Sequence, residues 1–330
     1  MSYQKGVKSI IFVLLICVFF MFVSLTNVYA EAPKAFKLTI GGGPVGSGFF
    51  VVMSAYARIW NEKVPEIDAS VEGTGGGIDN LHLVQEGQIE IGGGICSGTY
   101  MAFRGIEDFE EQGPFDNLRG ISMLYEWPLQ IIVLERSPIE TVYDLKGKRV
   151  AVGVRGGGGE TVSRQTLGSL GISFDDIHPV WAGYAETMDG LKLGNIDAAI
   201  FNTGVPTPAL LELEATHRFR ALPLSDEDIS KITSDYPYYV PGIMKGGTYV
   251  TIKEDVPTIF GFPVLYAHKD VPDDIIYKAL KGIWDNFNIM EDSHASQIGL
   301  TPERCYENIK PILPLHPGAE RYYREIGVIE

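Results

Sequence analysis

The chain has 330 residues, 45% of them hydrophobic, and carries 42 Asp and Glu against 27 Lys and Arg for a formal net charge of −15. That length allows two domains with real cores, and the acidic balance argues against nucleic acid or an anionic membrane surface as a partner. Of three cysteines, Cys17 lies in an apolar N-terminal run; the other two, Cys96 and Cys305, make no disulfide framework and pair only if the fold brings them together.

Lys5 and Lys8 are the only charged residues among the first 30, an apolar run follows from Ile10 to Val23, and Val28-Tyr29-Ala30 offers a small-residue cleavage site. The run is shorter than the roughly 20 apolar residues that span a bilayer. Residues 1–30 therefore read as a secretory signal peptide cut after Ala30, with an uncleaved anchor as the alternative. Cys17 lacks the small preceding residue that lipid attachment would want. Loss of the two lysines leaves a mature net charge of −17, and a periplasmic location is expected.

Further along, apolar runs bounded by glycine alternate with segments of 3.6-residue period. Strands are predicted at 36–41, 67–71, 89–93 and 118–124, with helices at 48–61 and 78–86. Phe49, Val52, Met53, Tyr56 and Trp60 give the first helix one apolar face. A second set places strands at 129–134, 149–154, 177–182, 196–201 and 219–224 around helices at 161–170 and 185–193. One more strand at 262–267 and helices at 273–287 and 318–325 would cap one lobe. Strand-then-helix order argues for parallel sheets with helices on both faces. Because the second set repeats the first, two similar α/β lobes are the simplest account: 31–128 with 260–330 in one, 129–259 in the other.

Three glycine-rich turns, Gly41-Gly42-Gly43-Pro44-Val45-Gly46, Gly73-Thr74-Gly75-Gly76-Gly77 and Gly156-Gly157-Gly158-Gly159, each follow a strand and open a helix. Such turns bare backbone N–H groups where the helix dipole favours an anion, and ligands of open α/β sheets sit at these carboxyl ends of strands. A small anionic or zwitterionic molecule is the expected ligand. The first turn also satisfies the dinucleotide fingerprint, yet the acid closing the second strand, Glu72, lies 31 residues past Gly41, later than that fingerprint expects.

The six histidines form no helical i, i+4 pair and have no cysteine at metal spacing, so neither metal nor cofactor is expected. No Gly-x-Ser-x-Gly elbow is present, and Cys96 reads as a small buried filler rather than a nucleophile. Arg155 ends a predicted strand before the third turn, where a guanidinium either grips a carboxylate or pairs with surface acids. Phe49, Tyr125 and Tyr184 either line a pocket or pack structurally, while Cys96-Ser97 and Asn202-Thr203-Gly204 end strands at the same edge.

Taken in order, Leu38-Thr39-Ile40-Gly41, Thr74-Gly75-Gly76 with Asn80, Asp144-Leu145-Lys146-Gly147-Lys148, Asp189-Gly190, Gly204-Val205-Pro206 and His316-Pro317-Gly318 resemble the TAXI-type solute-binding proteins of TRAP transporters. The resemblance implies a two-lobed, periplasmic-binding-protein-like clamshell (type II), each lobe a mostly parallel sheet flanked by helices, with a ligand cleft between lobes. It also implies a monomer that binds a small carboxylate and hands it to a TRAP-type membrane permease. Contacts would come from the first loop (Val45, Gly46, Ser47, Gly48, Phe49), the second (Thr74, Gly75, Gly76, Gly77, Asn80) and the third (Gly157, Gly158, Gly159).

The loops depart from that family's pattern by losing hydroxyl donors, each worth on the order of 1 kcal/mol, and by gaining Arg155, worth roughly 1.5 to 3. The expected ligand is thus an acid, held by Arg155, whose other end is bulkier or less polar than glutamate and lies against Phe49. A ligand-sensing subunit for a membrane signalling partner, or an exported enzyme using Glu126 or Glu160 as a base, are the alternatives to a non-catalytic binding protein.

Overall fold

The structure is a computed structural model that describes residues 34–45, 48–293 and 295–330. The predicted signal segment, Gly46, Ser47 and His294 lie outside the described residues. The fold described is that of the unit Phe36–Glu330.

Two mixed sheets flanked by helices make the two lobes of an α/β clamshell. The first sheet holds β1 (Phe36–Gly41), β2 (Ile67–Glu72), β3 (Ile91–Ile95), β4 (Leu118–Met123) and β12 (Pro263–His268), in the order β2-β1-β3-β12-β4. The second has β5 (Trp127–Leu134), β6 (Arg149–Gly153), β7 (His178–Trp181), β8 (Ala198–Asn202), β9 (Phe219–Ala221), β10 (Val240–Met244) and β11 (Val256–Gly261). Its order is β10-β11-β5-β8-β6-β7, with β9 paired to β5.

The repeat read from the sequence extends to this topology. In each sheet three strands run parallel, β2-β1-β3 and β7-β6-β8, and beside them lies one reversed strand, β12 or β5. Both reversed strands arrive from the other sheet: β4 leads through Leu124–Glu126 into β5, and β11 leads through Phe262 into β12. Each crossing thus delivers the reversed strand of the sheet it enters. Leu124 and Phe262 are fully buried, and the crossings are tied by bonds from Leu124 N–H to Pro263 O at 2.9 Å and from Cys96 N–H to Phe262 O at 2.9 Å.

Burial explains why these segments form. All eight residues of β5 are buried, as expected of a central strand covered on both faces. On the helix Gly48–Lys63, Val52, Met53, Tyr56 and Trp60 turn inward as the spacing predicts, and the Trp60 indole donates to Ala279 O at 2.9 Å, fixing the helix Asp273–Trp284. Cys96 and Ser97, expected to end the third strand, instead open the helix Cys96–Arg104. That helix packs on the second lobe, where Tyr100 meets Tyr238 at 5.0 Å and Gln165, bonded to the Tyr239 hydroxyl at 2.8 Å, approaches the Met101 sulfur at 3.7 Å. Cys96 and Cys305 are both buried and free, so no disulfide forms.

Candidate functional site

Three neighbouring cavities open at the carboxyl ends of the parallel strands of the two sheets. The largest, about 730 Å³, has Phe49 and Tyr125 on the first-lobe side. Its opposite wall is the helix Tyr184–Leu193 together with the segment from Thr203 to Ala209. A smaller one of about 220 Å³ shares Phe49 and Tyr125 and reaches back to Gly76, Gly77 and the end of β3. The third, about 440 Å³, lies beside Gly156, Gly157 and Gly158.

Phe49 occupies its place because β3 is nearly bare of side chains. A Cβ at Gly93 would lie 2.6 Å from Phe49 Cζ and 3.2 Å from Leu124 Cδ1, so only glycine lets the ring seat there. Burial, with Tyr184 opposite, pushes the Tyr125 phenol up. Partial desolvation also raises Tyr184, which is half-exposed, opposed by a hydrogen bond with Thr203. Both phenols are therefore neutral hydrogen-bonding groups at neutral pH.

The second-lobe wall is held from behind by a buried network. The Tyr249 hydroxyl donates to Gln130 Oε1 at 2.7 Å and accepts from Thr207 N–H at 2.9 Å. Gln130 Nε2 donates to Thr203 O at 3.2 Å and approaches Thr207 Oγ1 at 3.3 Å. Gln130, Thr207 and Tyr249 are each 1% exposed or less. With every polar atom engaged, such a network fixes one arrangement of the loop.

The glycine turns themselves are capped from within the chain. Thr74 Oγ1 accepts from Gly43 N–H at 3.0 Å and donates to Asn80 Oδ1 at 2.7 Å. Asn80 Nδ2 in turn donates to Gly41 O and Gly93 O. Gly75 N–H donates to Asp79, and Gly156 N–H to Glu160. The helix Gly158–Ser169 follows the third turn, and its first-turn amides, those of Gly158, Gly159 and Glu160, have no i−4 carbonyl within the helix. A Cβ at Gly158 would lie 2.7 Å from Ile95 Cδ1, so here too glycine serves close approach of the two lobes.

Of the residues singled out from the sequence, Phe49, Tyr125, Tyr184, Thr203 and Gly204 meet at the largest cavity. Gly76 and Gly77 line the small cavity, and Gly157 and Gly158 the third. Thr74, Gly75 and Asn80 stand behind the wall as ties. Val45 is exposed, Gly48 starts its helix, and Gly159 abuts Asn202. Cys96 and Ser97 are fully buried and line none of these cavities; burial pushes the Cys96 thiol up to about 12.

Arg155 turns aside: its guanidinium stacks 3.7 Å over the Trp181 ring, whose indole N–H donates to Glu160 at 2.7 Å. Glu160 is thereby occupied. Glu126 is as well, with Arg304 Nε donating to it at 2.7 Å, so both acids considered as a catalytic base already have partners. The sequence reading missed Met188, Lys192, Pro206, Thr207 and Glu212 on the cavity wall. The signal was present in Asp189-Gly190 and Gly204-Val205-Pro206, noted for order and spacing but not as walls. Among the described residues, no His, Cys, Asp and Glu group could hold a metal and no helix is long and apolar enough to cross a membrane.

Comparison with known proteins agrees with this architecture. An Escherichia coli (strain K12) protein named as an aliphatic sulfonates-binding protein is 26% identical over 185 residues, 53% of this chain. The match spans about half, 52%, of that relative's length. Among solved structures, a TctC solute-binding protein from Polaromonas superposes with a TM-score of 0.55 at 15% identity, over 91% of this chain and 100% of that one. A Xanthomonas citri protein bound to chloride ion gives 0.50 at 12%, over 88% and 99%. These identities speak to fold alone, a two-lobed periplasmic-binding-protein clamshell. The profile of the NMT1-like family matches residues 40–327, nearly the whole described fold, and the chain belongs to that family.

Proposed function

We propose that this protein is an extracytoplasmic solute-binding protein that takes a small acid into the interlobe cavity and delivers it to a membrane permease of TRAP type. The observation that carries the reading is the cavity of about 730 Å³ shared by both lobes. Its volume falls within the usual range for small-molecule sites, and its wall is mainly apolar and aromatic with a few polar groups. Such a lining suits a ligand bulkier and less polar than glutamate. The Escherichia coli relative's name supports an acid head group without deciding between carboxylate and sulfonate. Two strands that cross between lobes side by side form a natural hinge, and closure on ligand is the expected response.

In this reading the two lobes are residues 31–128 with 260–330 and residues 129–259, the protein acts as a monomer, and residues 1–30 direct export. Binding rather than catalysis is favoured by Glu126 and Glu160 being occupied.

The test is a thermal-shift screen of carboxylates and sulfonates on the purified protein, followed by calorimetry on any hit. A ligand present at 100 times its dissociation constant stabilises by about 2.7 kcal/mol, well within detection. No shift with any acid would sink the proposal. Co-purification with a sensor kinase rather than a permease would move the protein to signalling.

A further inference from the structure

We infer that Lys192 is the charged anchor of the cavity and that the ligand class is an amphiphilic monoanion, an inference that rests on the function proposed above. Among the described residues, Lys192 is the one cationic residue lining the largest cavity. Arg155 is not among the residues lining it and stacks on Trp181. Arg164 lines the third cavity and not this one.

The ammonium of Lys192 is held in two long ion pairs and donates no hydrogen bond to either acid. Nζ lies 3.9 Å from Asp189 Oδ1 and 3.9 Å from Glu212 Oε1, beyond the range of an N–H···O hydrogen bond. An ammonium carries three donors, and neither carboxylate uses one. The lysine side chain is 24% exposed while those of Asp189 and Glu212 are 73% and 78% exposed. The cation thus sits inside and the acids stand at the rim.

This arrangement discriminates by charge. One carboxylate or sulfonate oxygen within hydrogen-bond distance of Nζ gains a charge-assisted contact. A second anionic group on the same ligand would face Asp189 and Glu212 without a cation of its own and be repelled. The rest of the ligand meets Phe49, Met188 and Pro206, which favour an apolar body. Dicarboxylates are therefore disfavoured, and acids with an aryl or alkyl tail are favoured.

Isothermal titration tests this with four probes: 4-phenylbutanoate, hexane-1-sulfonate, the neutral 4-phenylbutanamide and the dianion glutarate. The wild-type protein should bind the better monoanion at least roughly tenfold more tightly than the amide, the equivalent of one charge-assisted contact, and more tightly than glutarate. Which monoanion is better identifies the head group. Lys192→Met should abolish the acid preference while leaving the amide affinity unchanged, Lys192→Arg should keep it, and Arg155→Met should leave it intact. A Lys192→Met protein that still prefers the acid overturns the inference alone, as does tighter binding of glutarate. If none of the anions binds the wild type, the proposed function falls with it.

Discussion

Replacing Gln130 by methionine probes whether the buried network behind the cavity wall holds the loop in its binding geometry. The exchange nearly conserves volume but removes every polar atom of a fully buried side chain. The Tyr249 hydroxyl then loses its acceptor, formerly at 2.7 Å, and Thr203 O loses its donor, formerly at 3.2 Å. One buried hydroxyl left unpaired at about 1–3 kcal/mol, with a smaller cost at the half-buried Thr203 carbonyl, gives an expected loss of about 1–3 kcal/mol. Tyr249→Phe removes the other side of the same bond and also orphans Thr207 N–H. Because the Gln130–Tyr249 bond is counted in both single variants, the double variant should lose less than their sum by about 1 kcal/mol or more. Urea unfolding of the four proteins supplies these numbers, and titration with the best acid probe adds the functional arm, where Gln130→Met should weaken binding by at least about threefold through a loosened loop. A loss below about 0.5 kcal/mol, or a coupling near zero, would refute the view that this network is what fixes the wall.

Three other outcomes follow from the same structure. Gly93→Ala places a methyl 2.6 Å from Phe49 Cζ, so the ring must move into the cavity; melting temperature should fall and affinity for bulky acids should drop more than for small ones, and an unchanged affinity ratio would contradict the seating of Phe49. His316 is fully buried and burial lowers its pKa below the ordinary 6.5; its contribution to stability is therefore complete above about pH 6.5 and lost as pH falls through the depressed folded value. His316→Asn should flatten the urea-midpoint profile between pH 7 and 5, and an unchanged slope would speak against a buried neutral imidazole. Burial pushes both the Cys96 and the Cys305 thiol up to about 12, so peptide mapping should find neither alkylated in the native protein at pH 8 and both alkylated in urea; native labelling of either would contradict the packing.

The alternation of apolar runs and helical periods carried the two α/β lobes, because strands such as β1, β2 and β6 have conventional glycine-bounded patterns. It did not carry strand direction. β5 and β12 are buried along nearly their whole length, and an all-apolar strand reads the same whichever way its neighbours run. The helix Cys96–Arg104 was invisible for a different reason: Cys-Ser-Gly-Thr is a weak helix former, and packing of Tyr100 and Met101 against the second lobe overrides that preference. β10 contains Pro241 and Gly242, which erase a strand signal, yet it pairs on one side only, with β11, where a sheet edge tolerates proline.

The glycine turns show why site residues are harder to read than folds. Glycine next to a strand end suggests open amides for an anion, but the same residue is required wherever two backbones or a backbone and a ring come within contact. At Gly93 and Gly158 the second cause applies, since a Cβ would strike Phe49 and Ile95. At Gly43, Gly75 and Gly156 the amides are satisfied by Thr74, Asp79 and Glu160. What the turns then supply is shape: they bring Phe49 and the first turn of the helix Gly48–Lys63 against β3 and let the lobes approach. Discrimination shifts to side chains with no motif of their own. Lys192 sits in the last turn of its helix, where a cation is also favoured by the helix dipole, so sequence alone has no reason to separate it from any surface lysine; only the cavity that the two lobes enclose does so.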